Sequence, residues 1–298
     1  MTADVLPTLP LTEVSELLIQ RKASPVELTQ ACLDRIESAN GQVNALVFVD
    51  PETAIAQAAE AQQRYALRQP LGLLDGLPIV VKDNIAVSGW PMTNGLAVQH
   101  TSSADADIVS RLRRQGVVML GSANMDEGAL AAAGVNPHHG RIMNPDFPGY
   151  ASGGSSSGSA AAVAAGFCCA ALGTDTLGSV RLPAAYCGLV GFKPSHGRLS
   201  TTGIISLLPE LDAVGPITRS VADVVYLMTQ LEGWTVSVEQ LPLGHLRWGV
   251  PDSFSGEELD VDVQVPFESA LAGLSAVDRK STRLNSSHAL TSYAVFCL

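Results

Sequence analysis

Short runs of β-branched and apolar residues, each bounded by glycine or proline, recur along this chain with helical stretches between them. That alternation constrains the fold more than any other feature. Gly76-Leu-Pro-Ile-Val-Val-Lys82 and Val117-Val-Met-Leu120 read as two strands separated by a helical stretch over residues 108–115. Leu46-Val-Phe-Val49 reads as another, and residues 168–172 are strand-like. Runs this uniformly apolar leave no face for water, so they belong to a largely parallel sheet covered by helices on both sides, an α/β fold.

Helix signals fall between the strands. Thr12 is placed to cap a helix carrying Val14, Leu17 and Leu18, and Ser24-Pro25 with Glu27 opens a second helix that Asn40-Gly41 should stop. Asp50-Pro51 opens an alanine-rich helix running to about residue 68, and Ser220 with Asp223 starts a later one. No internal repeat or long linker interrupts the pattern, which predicts a single domain.

Charge and composition narrow the function. Lys+Arg 18 against Asp+Glu 29 leaves a net charge of -11, which repels nucleic acid and anionic lipid. No run of 18 or more apolar residues suggests a membrane span, and the start, Met1-Thr-Ala-Asp, lacks the basic and apolar blocks of a secretory signal. A cytoplasmic protein is expected. Cys32, Cys168, Cys169, Cys187 and Cys297 match neither a zinc site nor a disulfide framework, and His138-His139 should point in different directions. Neither a metal nor a cofactor is predicted.

Residues 278–298, which begin Asp278-Arg-Lys-Ser-Thr-Arg-Leu, break with the preceding charge and periodicity. They resemble a translated sequencing adapter. This reading confines the native segment to residues 1–277 and makes 278–298 a non-native tail.

Two Gly/Ser-rich segments carry the candidate chemistry: Gly153-Gly-Ser-Ser-Ser-Gly-Ser159 and Gly173-Thr-Asp-Thr-Leu-Gly-Ser-Val-Arg-Leu-Pro183. Such sequence is costly to order and is retained where backbone must approach a ligand closely. Each segment sets serine hydroxyls beside backbone N–H groups, the arrangement that stabilises an oxyanion in acyl transfer. Neither contains the lysine a P-loop requires. Gly154-Ser-Ser-Ser-Gly158 formally satisfies G-x-S-x-G with Ser156 at its centre, but the strand that a nucleophile elbow needs does not precede it.

These segments, together with Gly76-Leu-Pro-Ile-Val-Val-Lys-Asp-Asn84, Asn124-Met-Asp-Glu127, Gly188-Leu-Val-Gly-Phe-Lys-Pro194 and Gly197-Arg-Leu-Ser200, resemble the amidase signature family in order and spacing. The resemblance runs from the first helix to about Leu231. It implies a twisted, mixed, largely parallel sheet flanked by helices, with residues 1–277 an amidase signature domain incomplete at its C-terminus. It further implies a triad of Lys82, Ser155 and Ser179 with a cis peptide between Gly154 and Ser155. Ser179 would be the nucleophile, Ser155 the proton relay and Lys82 the base. A lysine can act so only when neutral, and burial at the end of an apolar strand would favour that form. The N–H groups of Thr176, Leu177 and Gly178 would form the oxyanion hole. Asp175 and Arg181 would support the loop as an ion pair, or Arg181 would hold a substrate carboxylate.

The family pattern is broken at two places. Leu177 and Ser157 stand where many relatives carry glycine, and the Leu177 side chain is expected to wall the acyl side of the pocket. The resemblance implies hydrolysis of a small-molecule amide to acid and amine without a cofactor, and leaves homo-oligomerisation open. The alternatives are the glutaminase-type subunit of a tRNA-dependent amidotransferase, from which Ser206-Leu-Leu-Pro-Glu210 and Leu177 depart, and an inert fragment or binding module.

Overall fold

The computed structural model describes residues 3–232, 249–251, 260–277 and 282–284. Of these, the residues up to 232 belong to one compact unit and those from 249 to 284 to a second. The first unit opens with a 3-10 turn and continues through α1 (Leu11–Ile19), α2 (Pro25–Val43), β1 (Leu46–Val49), α3 (Pro51–Ala66) and β2 (Pro78–Lys82). The short pairs β3 (Pro91–Met92) with β4 (His100–Thr101) and β6 (Val135–Asn136) with β7 (Gly140–Arg141) bracket α4 (Asp107–Arg114) and β5 (Val118–Ala123). Then come α5 (Ser157–Ala164), β8 (Ala170–Asp175), α6 (Arg181–Tyr186), β9 (Val190–Gly191), β10 (Ala213–Thr218) and α7 (Val221–Glu232).

A six-stranded mixed sheet in the order β1-β5-β2-β8-β10-β9 organises this unit. The central strands β5, β2 and β8 run parallel, while β1 and β10 run antiparallel to their neighbours, so four of the six strands share one direction. Both faces are dry, as the apolar runs required. Ile79, Val81, Met119 and Leu172 pack under Leu11, Val14 and Leu18 of α1, Ile108 and Leu112 of α4, and Leu227 and Leu231 of α7. Val80, Val118, Leu120 and Ala171 face Cys32 and Ile36 of α2, Ala54 and Ala58 of α3, and Ala160 to Val163 of α5. Side chains alternate along a strand, so Lys82 shares the face of Val80 and points toward the α5 side.

The helix starts illustrate local and tertiary control side by side. Ser24 and Glu27 form a reciprocal capping box with Pro25 at the first helical position, and Asp50 accepts from the Thr53 N–H at 3.2 Å. Thr12 does not cap α1. Its N–H and hydroxyl both donate to Asp223 Oδ1, at 3.0 and 2.9 Å, so a carboxylate from α7 supplies the acceptor a cap would have supplied. Nor does Asn40-Gly41 end α2. The helix runs on to Val43 and stops at Asn44, which takes a left-handed φ of 57°, while the Asn40 side chain clasps the backbone of Leu46.

In the second unit, β11 (Gly249–Pro251) pairs in parallel with β12 (Thr282–Leu284), and α8 (Val261–Val277) lies between them in sequence. Of the segment 278–298, all but β12 lies outside the described residues. Among the described residues no helix is long and apolar enough to cross a membrane.

Candidate active site

The carboxyl ends of the parallel strands β2 and β8 lie side by side, and each ends on a charged residue, Lys82 and Asp175. Open α/β sheets place ligands outside this end. The N-terminus of α5 comes in over the same edge, bringing Ser155 and Ser156. Gly173 of β8 makes that approach fit: a Cβ there would lie 2.5 Å from Ser156 Oγ. The cavity bordered by Gln57, Arg64 and Val117 sits at the opposite, amino-terminal end of β5 and takes no part in this cluster.

Lys82 is fully buried. Its Nζ lies 2.8 Å from Ser155 Oγ, 2.9 Å from Thr174 Oγ1 and 3.5 Å from the Thr174 carbonyl oxygen. Burial pulls its ammonium from the ordinary 10.5 down to about 7, against the fields of Asp126, Asp175 and Asp212, which favour the charged form. A neutral amine in this setting can give its two hydrogens to the Thr174 hydroxyl and carbonyl and leave its lone pair for Ser155. Thr174 is itself held by Asn84, whose Nδ2 donates to Thr174 Oγ1 at 3.1 Å and to the Ile205 carbonyl at 3.1 Å. Asn84 and Asp126 lie within motifs recognisable in the sequence, but their link to Lys82 has no local signal. Thr174 is hidden in the same way, second in a glycine-rich run.

Ser155 is fully buried, and the Gly154-Ser155 peptide is cis. Ser179 is half-buried, and its carbonyl accepts from the Ser156 N–H at 3.1 Å, which ties the two Gly/Ser segments together. The Ser179 hydroxyl has no hydrogen-bond partner among the described residues, so the structure joins Lys82 to Ser155 directly and brings Ser179 alongside through the backbone.

Asp175 organises the loop that holds Ser179. Its buried carboxylate takes a two-pronged grip from Arg181, with Nε and Nη2 each at 3.0 Å, and accepts from the Gly178 N–H at 2.8 Å and the Val180 N–H at 3.1 Å. Burial pushes this carboxyl up, but Arg181 and the backbone donors together hold it below its ordinary value. Arg181 therefore pairs with Asp175. Gly178 differs from the expected donor set: its N–H is spent on Asp175, and its φ of +133° is one only glycine adopts readily. The Leu177 and Ser179 N–H groups have no acceptor among the described residues. Thr176 is tied at its hydroxyl to Asp212 Oδ1 at 2.5 Å, and Asp212 Oδ2 in turn gathers Ser206 and the N–H groups of Leu207 and Leu208. The Leu177 side chain is 80 % exposed, so it walls nothing among the described residues.

His138 and His139 turn to different partners, Glu127 Oε1 and the Leu96 carbonyl. Cys32, Cys168, Cys169 and Cys187 are buried free thiols, and Cys297 lies outside the described residues. No group of three or more His, Cys, Asp or Glu side chains among the described residues is arranged to hold a metal ion.

Comparison with known proteins places the whole chain rather than these individual residues. The chain is 38% identical over 271 residues to the A-type subunit of the glutamyl-tRNA(Gln) amidotransferase of Salinibacter ruber, covering 85% of this chain and 52% of that protein. It is 38% identical to the same subunit of Methylobacillus flagellatus, covering 88% of this chain and 56% of that one. The chain thus spans about half the length of these curated relatives. A crystal structure of an amidase superposes with a TM-score of 0.86 at 36% identity, covering 93% of this chain and 63% of that one. The native peptide amidase of Stenotrophomonas maltophilia gives 0.81 at 29% identity, covering 94% and 63%. The sequence model of the Amidase family matches residues 27–296, most of the chain, and on that extent the chain belongs to the Amidase family.

Proposed function

We propose that this protein hydrolyses a small-molecule carboxylic amide in the cytoplasm through an acyl-enzyme on Ser179, with Ser155 relaying protons and Lys82 as base. The observation that carries this reading is the 2.8 Å contact between a fully buried lysine amine and a buried serine hydroxyl, with no acid paired to the lysine among the described residues. A buried amine near neutrality can accept a proton at working pH.

In this scheme Ser179 Oγ attacks the amide carbon as its proton passes to Ser155 Oγ, and the Ser155 proton passes to Lys82 Nζ. The carbonyl π electrons move to oxygen, where the Leu177 and Ser179 N–H groups, with Thr176 beside them, receive the negative charge. Collapse expels the amine, which takes a proton from Ser155, and Ser155 recovers one from Lys82. Water then cleaves the ester by the same route. Ser179 must swing into contact with Ser155 for the first step, and catalytic hydrogen bonds commonly tighten only when substrate is bound.

A fluorophosphonate probe tests the reading, since it needs only an activated serine. One covalent adduct on Ser179, found by mass spectrometry and absent in Ser179→Ala, is expected; wild-type protein that stays unlabelled at every pH refutes it. A second reading, the glutaminase-type component of a glutamyl-tRNA amidotransferase, is favoured by the names of the curated relatives. Glutamine turnover that requires companion proteins would select it over a free-standing amidase.

A further inference from the structure

Asp126 is a fully buried carboxylate to which the proposed acyl-transfer scheme gives no task. It lies just past β5, and its contacts converge on the segment around Ser155. Oδ2 accepts from Ser157 Oγ at 3.0 Å, Oδ1 accepts from the Val135 N–H at 3.0 Å, and the Asp126 N–H donates to the Ser155 carbonyl at 3.3 Å. A Cβ built on Gly154 would overlap Oδ2, so the carboxylate is seated against the bare Cα of that glycine. Residues 154, 155 and 157 therefore all rest on this one residue. Ser157 matters because its hydroxyl is the side-chain donor to Oδ2; a glycine at this position would leave that oxygen without it.

We propose that Asp126 is the positioning residue for Ser155, gripping its peptide from both sides, with the Ser157 hydroxyl as the clasp that keeps the carboxylate in place. The proposal rests on the amidohydrolase reading, in which Ser155 must face both Lys82 and Ser179. The same carboxylate acts on Lys82 through space. The charged groups facing that amine are Asp126, Asp175 with its partner Arg181, and Asp212, while Ser155 and Thr174 contribute only neutral hydrogen-bonding groups. Asp126 forms no ion pair among the described residues, so its charge is not locally cancelled as that of Asp175 is.

Two variants separate grip from charge. Ser157→Ala keeps the carboxylate and removes the clasp; Asp126→Asn keeps the shape and removes the charge. The rate of fluorophosphonate labelling of the full chain is measured against pH, with thermal unfolding as the check on folding. Wild-type labelling should rise through pH about 7. Ser157→Ala should lower the plateau about 10- to 100-fold, the cost of a misplaced relay, without moving the midpoint. Asp126→Asn should move the midpoint down by about one unit, because the ammonium loses a favourable neighbour. A folded Ser157→Ala protein with the wild-type plateau overturns the proposal even where Asp126→Asn does not fold, and so does a folded Asp126→Asn protein with an unmoved midpoint. Wild-type protein that never labels refutes the amidohydrolase reading and this inference with it, an outcome distinct from labelling that ignores both substitutions.

Discussion

Residues 153–159 and residues 173–183 are written in the same small-residue alphabet and meet at one edge of the sheet, yet one is sealed inside the protein and the other is left open. In the first, Ser155, Ser156, Ser157 and Ser159 have no exposed surface, and each hydroxyl has a partner: Lys82, the Thr174 carbonyl, Asp126 and the Leu172 carbonyl. In the second, Leu177 is exposed, Ser179 is half-buried, and the loop is held by two carboxylates, Asp175 beneath Gly178 and Val180 and Asp212 at the Thr176 hydroxyl. The difference comes from the neighbouring elements. The first segment runs into α5, whose alanines let it press onto the sheet, and buried hydroxyls must then be satisfied within the protein. The second leaves the carboxyl end of β8, where backbone N–H groups and one hydroxyl can stay open to a reactant.

Substitutions in and around the two segments sharpen or break this comparison. Ser179→Ala should abolish probe labelling, a loss of roughly 10⁴-fold or more, whereas Ser156→Ala in the buried segment should still label and lose about 1 kcal/mol of stability in urea unfolding. Equal loss in both would erase the distinction between the segments.

Lys82→Met should stabilise the protein by a few kcal/mol at neutral pH. The sign comes from a folded pKa of about 7 against 10.5 for the ordinary side chain. The wild-type penalty is full below pH 7, shrinks as pH rises between 7 and 10.5, and vanishes above. Unfolding measured at about pH 6, 8 and 10 checks it; a gain that does not fall with pH would mean that Lys82 is charged in the folded state.

Gly173→Ala should cost about 1–3 kcal/mol, because the new methyl would meet Ser156 Oγ at 2.5 Å and Ser156 Cβ at 2.8 Å. Leu177→Ala, in the open segment, should change stability by less than about 0.5 kcal/mol. Chemical denaturation of the two variants side by side measures the contrast, and a large loss for Leu177→Ala would show that its side chain is covered.

The sequence can be read well wherever the physics is local. The capping box of Ser24 and Glu27, the Asp50-Pro51 helix start and the dry strands at 78–82 and 118–123 come from neighbours in the chain. So does Lys82 at a strand end. The failures share a cause. Thr12 reads as a cap because no local feature announces Asp223, which comes from 211 residues away. Gly178 reads as an open donor because nothing in the sequence shows that Asp175, besides pairing with Arg181, also accepts from backbone.

What the chain determined by itself is the set of parts: strands too apolar for a wet face, two glycine-rich turns, a lysine and serines at family spacing. Only the tertiary structure decided which groups meet. It chose Thr174 and Asn84 to orient the Lys82 amine, Asp126 to sit against Gly154, and one Gly/Ser segment to be buried while the other stays open. Hydrogen bonding and desolvation act over a few ångströms in space, and residues that close can be far apart in sequence.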